Sequence, residues 1–135
     1  MINPLRLLLL AQPTITAIVV DRGFVDIAAN GSKLPRFVLH QMSSDEQNDL
    51  ENSGDARQLN FDIDCEGETA QDAWDLATAI REFLKDYAGA TQAGQPDITA
   101  CVLNDERSKK PERTTAAGAV RQFAVTIDVD VFYAT

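Results

Sequence analysis

Arg57-Gln58-Leu59-Asn60-Phe61-Asp62-Ile63-Asp64-Cys65 alternates apolar and polar residues without a break. Leu59, Phe61, Ile63 and Cys65 fall on one side, and Gln58, Asn60, Asp62 and Asp64 on the other. Successive side chains of a strand point to opposite faces, so the stretch reads as a half-buried strand, one face on a core and one in water. A strand covered on one face only argues for an antiparallel or mixed sheet, because the strands of an all-parallel sheet are apolar on both faces.

On the C-terminal side, Thr69 with Asp72 three residues later has the form of a capping box, and Ala70, Ala73, Trp74, Ala77, Ile80, Leu84 and Tyr87 recur at helical spacing. The spacing predicts a helix of about five turns. Gly89, Gly94 and Pro96 then punctuate a loop. Residues 97–103 read as a strand, 104–118 as a long polar connection, and 119–133 as the clearest strand of the chain. In that last strand Phe123, Val125, Ile127, Val129 and Val131 face one way, while Gln122, Thr126, Asp128 and Asp130 face the other.

On the N-terminal side, residues 43–56 carry Asp45, Glu46, Asp49, Glu51 and Asp55 with Leu50 as the single large apolar residue, which predicts an exposed loop. A strand is expected over 36–42 and a shorter one over 22–27, separated by the turn residues Asn30-Gly31-Ser32. Asn3 and Pro4 suit the cap and first position of a helix that continues over 5–12 and ends at Pro13. Residues 14–20 are apolar and β-branched without alternation, which fits either the tail of that helical region or a short strand. The expected fold is a single α+β domain spanning residues 1–135. Its antiparallel or mixed β-sheet packs against one long helix, with a short N-terminal helix beside it.

A chain of 135 residues with 44% hydrophobic and 24% charged residues is expected to fold around one core. Its net charge of −9 repels phosphate backbones and so disfavours sequence-specific nucleic-acid binding. Cys65 and Cys101, with His40 as the only imidazole, cannot complete a Cys/His zinc site unaided. Both lie in apolar runs and read as small buried hydrophobes rather than as a disulfide. The apolar run at 5–11 is too short to span a bilayer, and Arg6 interrupts it where a signal peptide would be uniformly apolar.

The glycines never reach the spacing of a phosphate-binding loop, and His40 sits inside a predicted strand, away from any nucleophile pattern. Neither catalytic residues nor a cofactor are expected. Asp62, Asp64, Asp128 and Asp130 occupy the wet faces of two strands. Four such carboxylates could hold a hard cation and serve a metal-dependent hydrolase. They would equally keep a one-sided sheet solvated and discourage face-to-face aggregation, the reading favoured by the lack of calcium-loop spacing.

Charge is unevenly placed. Between Asp45 and Asp75 there are eleven acids against one base, Arg57, whereas Arg107, Lys109, Lys110 and Arg113 cluster before the last strand. The basic cluster can be a solvated loop. It can also be an arm that meets the acidic loop Asp45, Glu46, Asp49, Glu51 and Asp55 of a neighbouring copy, a head-to-tail contact that closes into a ring. Exposed pairs contribute only ~0.2–1 kcal/mol each, so they would set register while apolar contacts hold the assembly. A monomeric acidic binding module that imitates DNA charge is a third possibility.

In order, the chain shows an N-terminal helix, a short strand at Gly23-Phe24-Val25, and Leu34-Pro35 leading into Phe37-Val38-Leu39-His40-Gln41. An acidic loop, Leu59-Asn60-Phe61-Asp62-Ile63, the helix Ala73-Trp74-Asp75-Leu76-Ala77-Thr78-Ala79-Ile80-Arg81-Glu82-Phe83-Leu84, a polar linker and Arg121-Gln122-Phe123-Ala124-Val125-Thr126-Ile127-Asp128-Val129 complete it. This succession resembles the phage tail-completion proteins, also called tail terminators or head–tail joining proteins. The resemblance implies a structural virion subunit without cofactor or catalysis, assembled in the host cytoplasm. It would form a homo-oligomeric ring, often a hexamer, at the head-proximal end of the tail tube. Its partners would be the tube protein and the head connector, with DNA passing through unbound. Asp62, Asp64, Asp128 and Asp130 are then candidates for a negative lumen that does not hold phosphates.

Overall fold

The structure, a computed structural model, describes residues 2–27, 33–45, 57–85, 87–91, 97–113 and 121–133. Its elements are α1 (Ile2–Leu10), α2 (Pro13–Val19), β1 (Gly23–Val25), β2 (Arg36–Asp45), β3 (Arg57–Gly67), α3 (Ala70–Leu84), β4 (Ile98–Arg113) and β5 (Arg121–Tyr133). The five strands form one sheet in the order β1-β2-β3-β5-β4. β1 runs parallel to β2 and every other pair is antiparallel, so the sheet is mixed.

β3 is the centre strand, and its alternation divides the molecule. Leu59, Phe61, Ile63 and Cys65 join Phe37 and Leu39 of β2 and Val125, Ile127, Val129 and Val131 of β5 in one buried cluster. Onto this face pack Leu5, Leu8 and Leu9 of α1, Ile15 and Val19 of α2, and Ala73, Leu76, Ala77, Ile80 and Leu84 of α3. All three helices therefore share one face of the sheet. The other face carries the polar residues of β3 and most of those of β5, with Phe24, Val38, Val102 and Phe132 in register among them.

Thr69 caps α3 as its sequence predicts, its hydroxyl accepting the Asp72 N–H at 3.1 Å. The helix is shorter than its apolar spacing suggests: 15 residues, about four turns, ending at Leu84. Tyr87 belongs to the apolar series but lies beyond the helix, its ring tilted against Phe83 at a centroid distance of 4.8 Å. The chain leaves the helix at Lys85 and returns to the sheet, where Gly89 and Ile98 exchange two backbone hydrogen bonds of 2.8 Å.

Pro13 does bring α1 to its end, but by starting a second helix. It occupies the first turn of α2, where a missing N–H has no helical partner to lose, and Gln12 before it is extended as a residue preceding proline favours. Residues 14–20, which fitted helix or strand, are thus helical as far as Val19, with Ile15 and Val19 turned inward four residues apart.

Two expected loops are partly strand. β2 continues through Asp45, and β4 continues through Arg113, so residues 104–113 extend the sheet instead of crossing polar space. Cross-strand pairing with β5 accounts for the second extension, since Glu106 faces Ile127, Ser108 faces Val125 and Arg113 faces Arg121. Residues 46–56 and 114–118, the rest of those predicted connections, lie outside the described residues, as do 119 and 120 at the start of the last predicted strand.

β1 is held at its edge by two arginines. The Arg6 guanidinium donates to the Gly23 carbonyl at 2.6 Å, and Arg22 donates to the carbonyls of Pro35 at 2.9 Å and Ile18 at 3.3 Å. Gly23 is buried, and a methyl group there would enter the ring of Phe37, itself fully buried. Gly23→Ala is expected to lower stability by about 1–3 kcal/mol through overpacking, whereas Thr69→Ala should cost about 1 kcal/mol through loss of the cap. Urea denaturation of the two variants beside the wild type checks both values.

Candidate functional site

The face of the sheet free of helices is an ordered polar surface. Asp62 and Asp64 of β3 and Asp128 and Asp130 of β5 all lie on it, as their alternation predicts. Asp62 stands directly opposite Asp128, and Asp105 of β4 stands opposite Asp128 on its other side. Three carboxylates thus line up across three strands about 4.8 Å apart, a row that would destabilise the sheet if uncompensated.

Compensation comes from neighbours on the same face. The Asn60 amide donates to Asp128 at 2.6 Å and to Asp130 at 2.8 Å. Arg107 reaches Asp105 at 3.3 Å and Asp62 at 3.5 Å. Thr126, fully buried, donates its hydroxyl to Asp64 at 2.6 Å. His40 lies 3.2 Å from Asp64 through Nε2 and 3.9 Å from Asp26 through Nδ1, and Arg36 pairs with Glu66 at 2.6 Å.

The Asp130 carboxyl is pushed up by burial, but hydrogen bonds from Asn60, Asn104 and Gln58 outweigh that and hold it below its ordinary value. Among the described residues no group of His, Cys, Asp and Glu side chains is placed to hold a metal ion. No helix among them is long and apolar enough to cross a membrane.

The basic residues are distributed differently from the sequence expectation. Arg107, Lys109, Lys110 and Arg113 belong to a strand rather than a loop. Arg107 is engaged with carboxylates of its own sheet, which separates it from the other three. Lys109 and Arg113 stand opposite Ala124 and Arg121 on β5, so strand pairing adds Arg121 to the cluster. Asp45 ends β2, while Glu46, Asp49, Glu51 and Asp55 lie outside the described residues.

Sequence reading passed over Asn60, Arg107 as a compensating charge, and Arg121. Asn60 shares the polar phase of β3 with Asp62 and Asp64 and could have been found from that alone. The roles of Arg107 and Arg121 depend on the β4–β5 register, which composition does not reveal.

On the opposite face, Arg81 of α3 pairs with Glu106 of β4 at 3.2 Å and ties the helix to the edge strand. Cys65 and Cys101 are free thiols, with Cys65 in the core and Cys101 packed against it. Burial raises both, Cys65 well above the usual thiol value and Cys101 to about 11.

The fold, a mixed sheet with its helices on one side, has a counterpart among solved structures. A chain of the virion of a native gene transfer agent particle shares the fold with a TM-score of 0.59 at 13% identity, covering 93% of this chain and 87% of that one. No curated protein matches the sequence. The model of the tail completion protein gp17 family matches residues 3–129, and the chain belongs to that family. It is a structural component of a phage tail.

The site yields two expected outcomes. A carboxylate depressed in the folded state stabilises the fold above its unfolded value of about 3.9, and that contribution is lost as pH falls through the lower folded value. Asn60→Ala is therefore expected to move the Asp130 titration upward in a carboxyl NMR experiment and to shift acid destabilisation to higher pH. Alkylation with iodoacetamide at about pH 8 should be slow at Cys101 and should reach Cys65 only after unfolding, because the thiolate is the reactive form.

Proposed function

We propose that this tail protein forms a closed homo-oligomeric ring, a hexamer, on the head-proximal end of the tail tube. There it stops tube growth and presents a docking face to the head connector. The observation that carries the reading is the match to the tail completion family over residues 3–129. The polar face supports it: its carboxylates are held by neighbouring side chains, which suits a surface that must stay negative and rigid rather than bind a substrate.

In this ring Asp62, Asp64, Asp128 and Asp130 line the channel. A negative wall with paired carboxylates repels phosphates, so DNA slides past without being held. Subunits meet through the basic segment of β4, where Lys109, Lys110 and Arg113 make the contact and Arg107 stays with its own sheet, and the acidic segment of the next copy that holds Asp45, Glu46, Asp49, Glu51 and Asp55. Assembly takes place in the host cytoplasm, and the partners are the tube protein and the connector. No catalytic step and no cofactor form part of the role.

Adding the purified chain to growing tail tubes tests termination: elongation is expected to stop, with one added ring per tube in electron micrographs. Continued growth at saturating protein would refute it. Charge reversal of the four channel aspartates to Lys should slow DNA ejection without loss of assembled tails, and ejection at the normal rate would remove them from the channel. Lys109, Lys110 and Arg113 changed to Glu should weaken association most at low salt, which sedimentation measures.

A further inference from the structure

The outward side of α3 does not look like a surface meant only for water. Gln71, Trp74, Asp75, Thr78, Glu82 and Lys85 are exposed at helical spacing, opposite the buried Ala73, Leu76, Ala77, Ile80 and Leu84. Trp74 is the sole tryptophan of the chain and is 39% exposed in the middle of this otherwise polar stripe. A large aromatic among exposed polar residues is the usual composition of an interface anchor. Its surroundings are acidic, with Glu68 and Asp75 exposed and Asp72 half-buried. Asp75 is further fixed by a hydrogen bond from Gln71 at 2.7 Å.

The end of the β4–β5 hairpin is the complementary feature. Pairing between β3 and β5 stops at Gly67 with Phe123, whereas β4 and β5 pair on to Arg113 with Arg121. Beyond Phe123 the sheet is reduced to two strands, and a two-stranded ribbon is only marginally stable without a surface to pack on. With Arg107 held by Asp62 and Asp105, the paired ends of the two strands, residues 108–113 and 121–122, hold four bases, Lys109, Lys110, Arg113 and Arg121, against Glu112 alone, in a chain whose net charge is −9. Arg113 and Arg121 are directly opposite each other in the register, an arrangement that favours an acidic partner.

We infer that the hairpin end of one copy docks on the Trp74 face of α3 in the next copy. This rests on the ring reading above and deepens it by assigning a second acidic surface to the contact. Trp74 supplies apolar area and a π face for a Lys or Arg, while Glu68, Asp72 and Asp75 complement the bases. The occupant is a second copy of this chain, because at these strand ends bases outnumber acids four to one in an otherwise acidic molecule.

Since Trp74 is the sole tryptophan, its fluorescence reads the contact directly. Over a concentration series followed in parallel by sedimentation, association of the wild type should shift Trp74 emission to the blue and reduce acrylamide quenching at least about twofold, as burial of the ring requires. The combined variant K109E/K110E/R113E/R121E should lose both changes and associate at least about tenfold more weakly. Adding Asp75→Lys and Glu68→Lys to that variant should restore much of the association, a result that misfolding would not give. Wild-type assembly with Trp74 as quenchable as in the monomer overturns this contact and leaves the ring standing. A wild type that stays monomeric throughout overturns both readings. Protection of Trp74 unaffected by the arm variant, together with loss of DNA binding in that variant, makes the arm a nucleic-acid contact and equally overturns the inference.

Discussion

Everything in this molecule depends on the phase of the centre strand. β3 is paired on both sides over most of its length, to β2 and to β5, and its inward and outward residues differ completely in character. A slip of one residue would carry Asp62 and Asp64 into the apolar cluster and expose Phe61 and Ile63, so a single register satisfies both faces. The helices add to a division that the strands already impose. Burial of α1, α2 and α3 on one face leaves the other face polar, and the arginines at β1 and the Arg81–Glu106 pair hold the sheet edges to the helical layer.

The polar face has its own internal logic. Carboxylates in line across β3, β5 and β4 repel, and the sheet answers with neutral and cationic donors in adjacent positions: Asn60 between two aspartates, Arg107 between two more, Thr126 beneath Asp64. Exposed ion pairs of this kind contribute little to stability individually. Their effect is to fix where negative charge sits, which matters for a surface that faces other molecules. In the proposed ring, the acidic face and the basic ends of β4 and β5 would be two distinct contact surfaces on one small chain.

Much of this was legible in the sequence because alternation and capping are local. The face assignments of Leu59, Phe61, Ile63, Cys65 and of the β5 residues come from period two alone, and Thr69 announced the start of α3. Three features were not local. Tyr87 continues the apolar spacing of α3 although the chain has already turned toward Ile98, so periodicity overran the helix end. Pro13 carries the same signal whether it ends one helix or begins the next. Residues 104–113 are polar by composition, and only pairing with β5 makes them a strand, which is also what brings Arg121 to Arg113 and Arg107 to Asp62.

The most direct test of the account is a cryo-EM map of completed tails, fine enough to place secondary structure. The account predicts a closed ring of this fold at the tube end that meets the head, with β3 and β5 turning their aspartate face to the axis and the helices outward. A ring with the helical layer lining the channel, or density for this chain anywhere but the tube end, would contradict it.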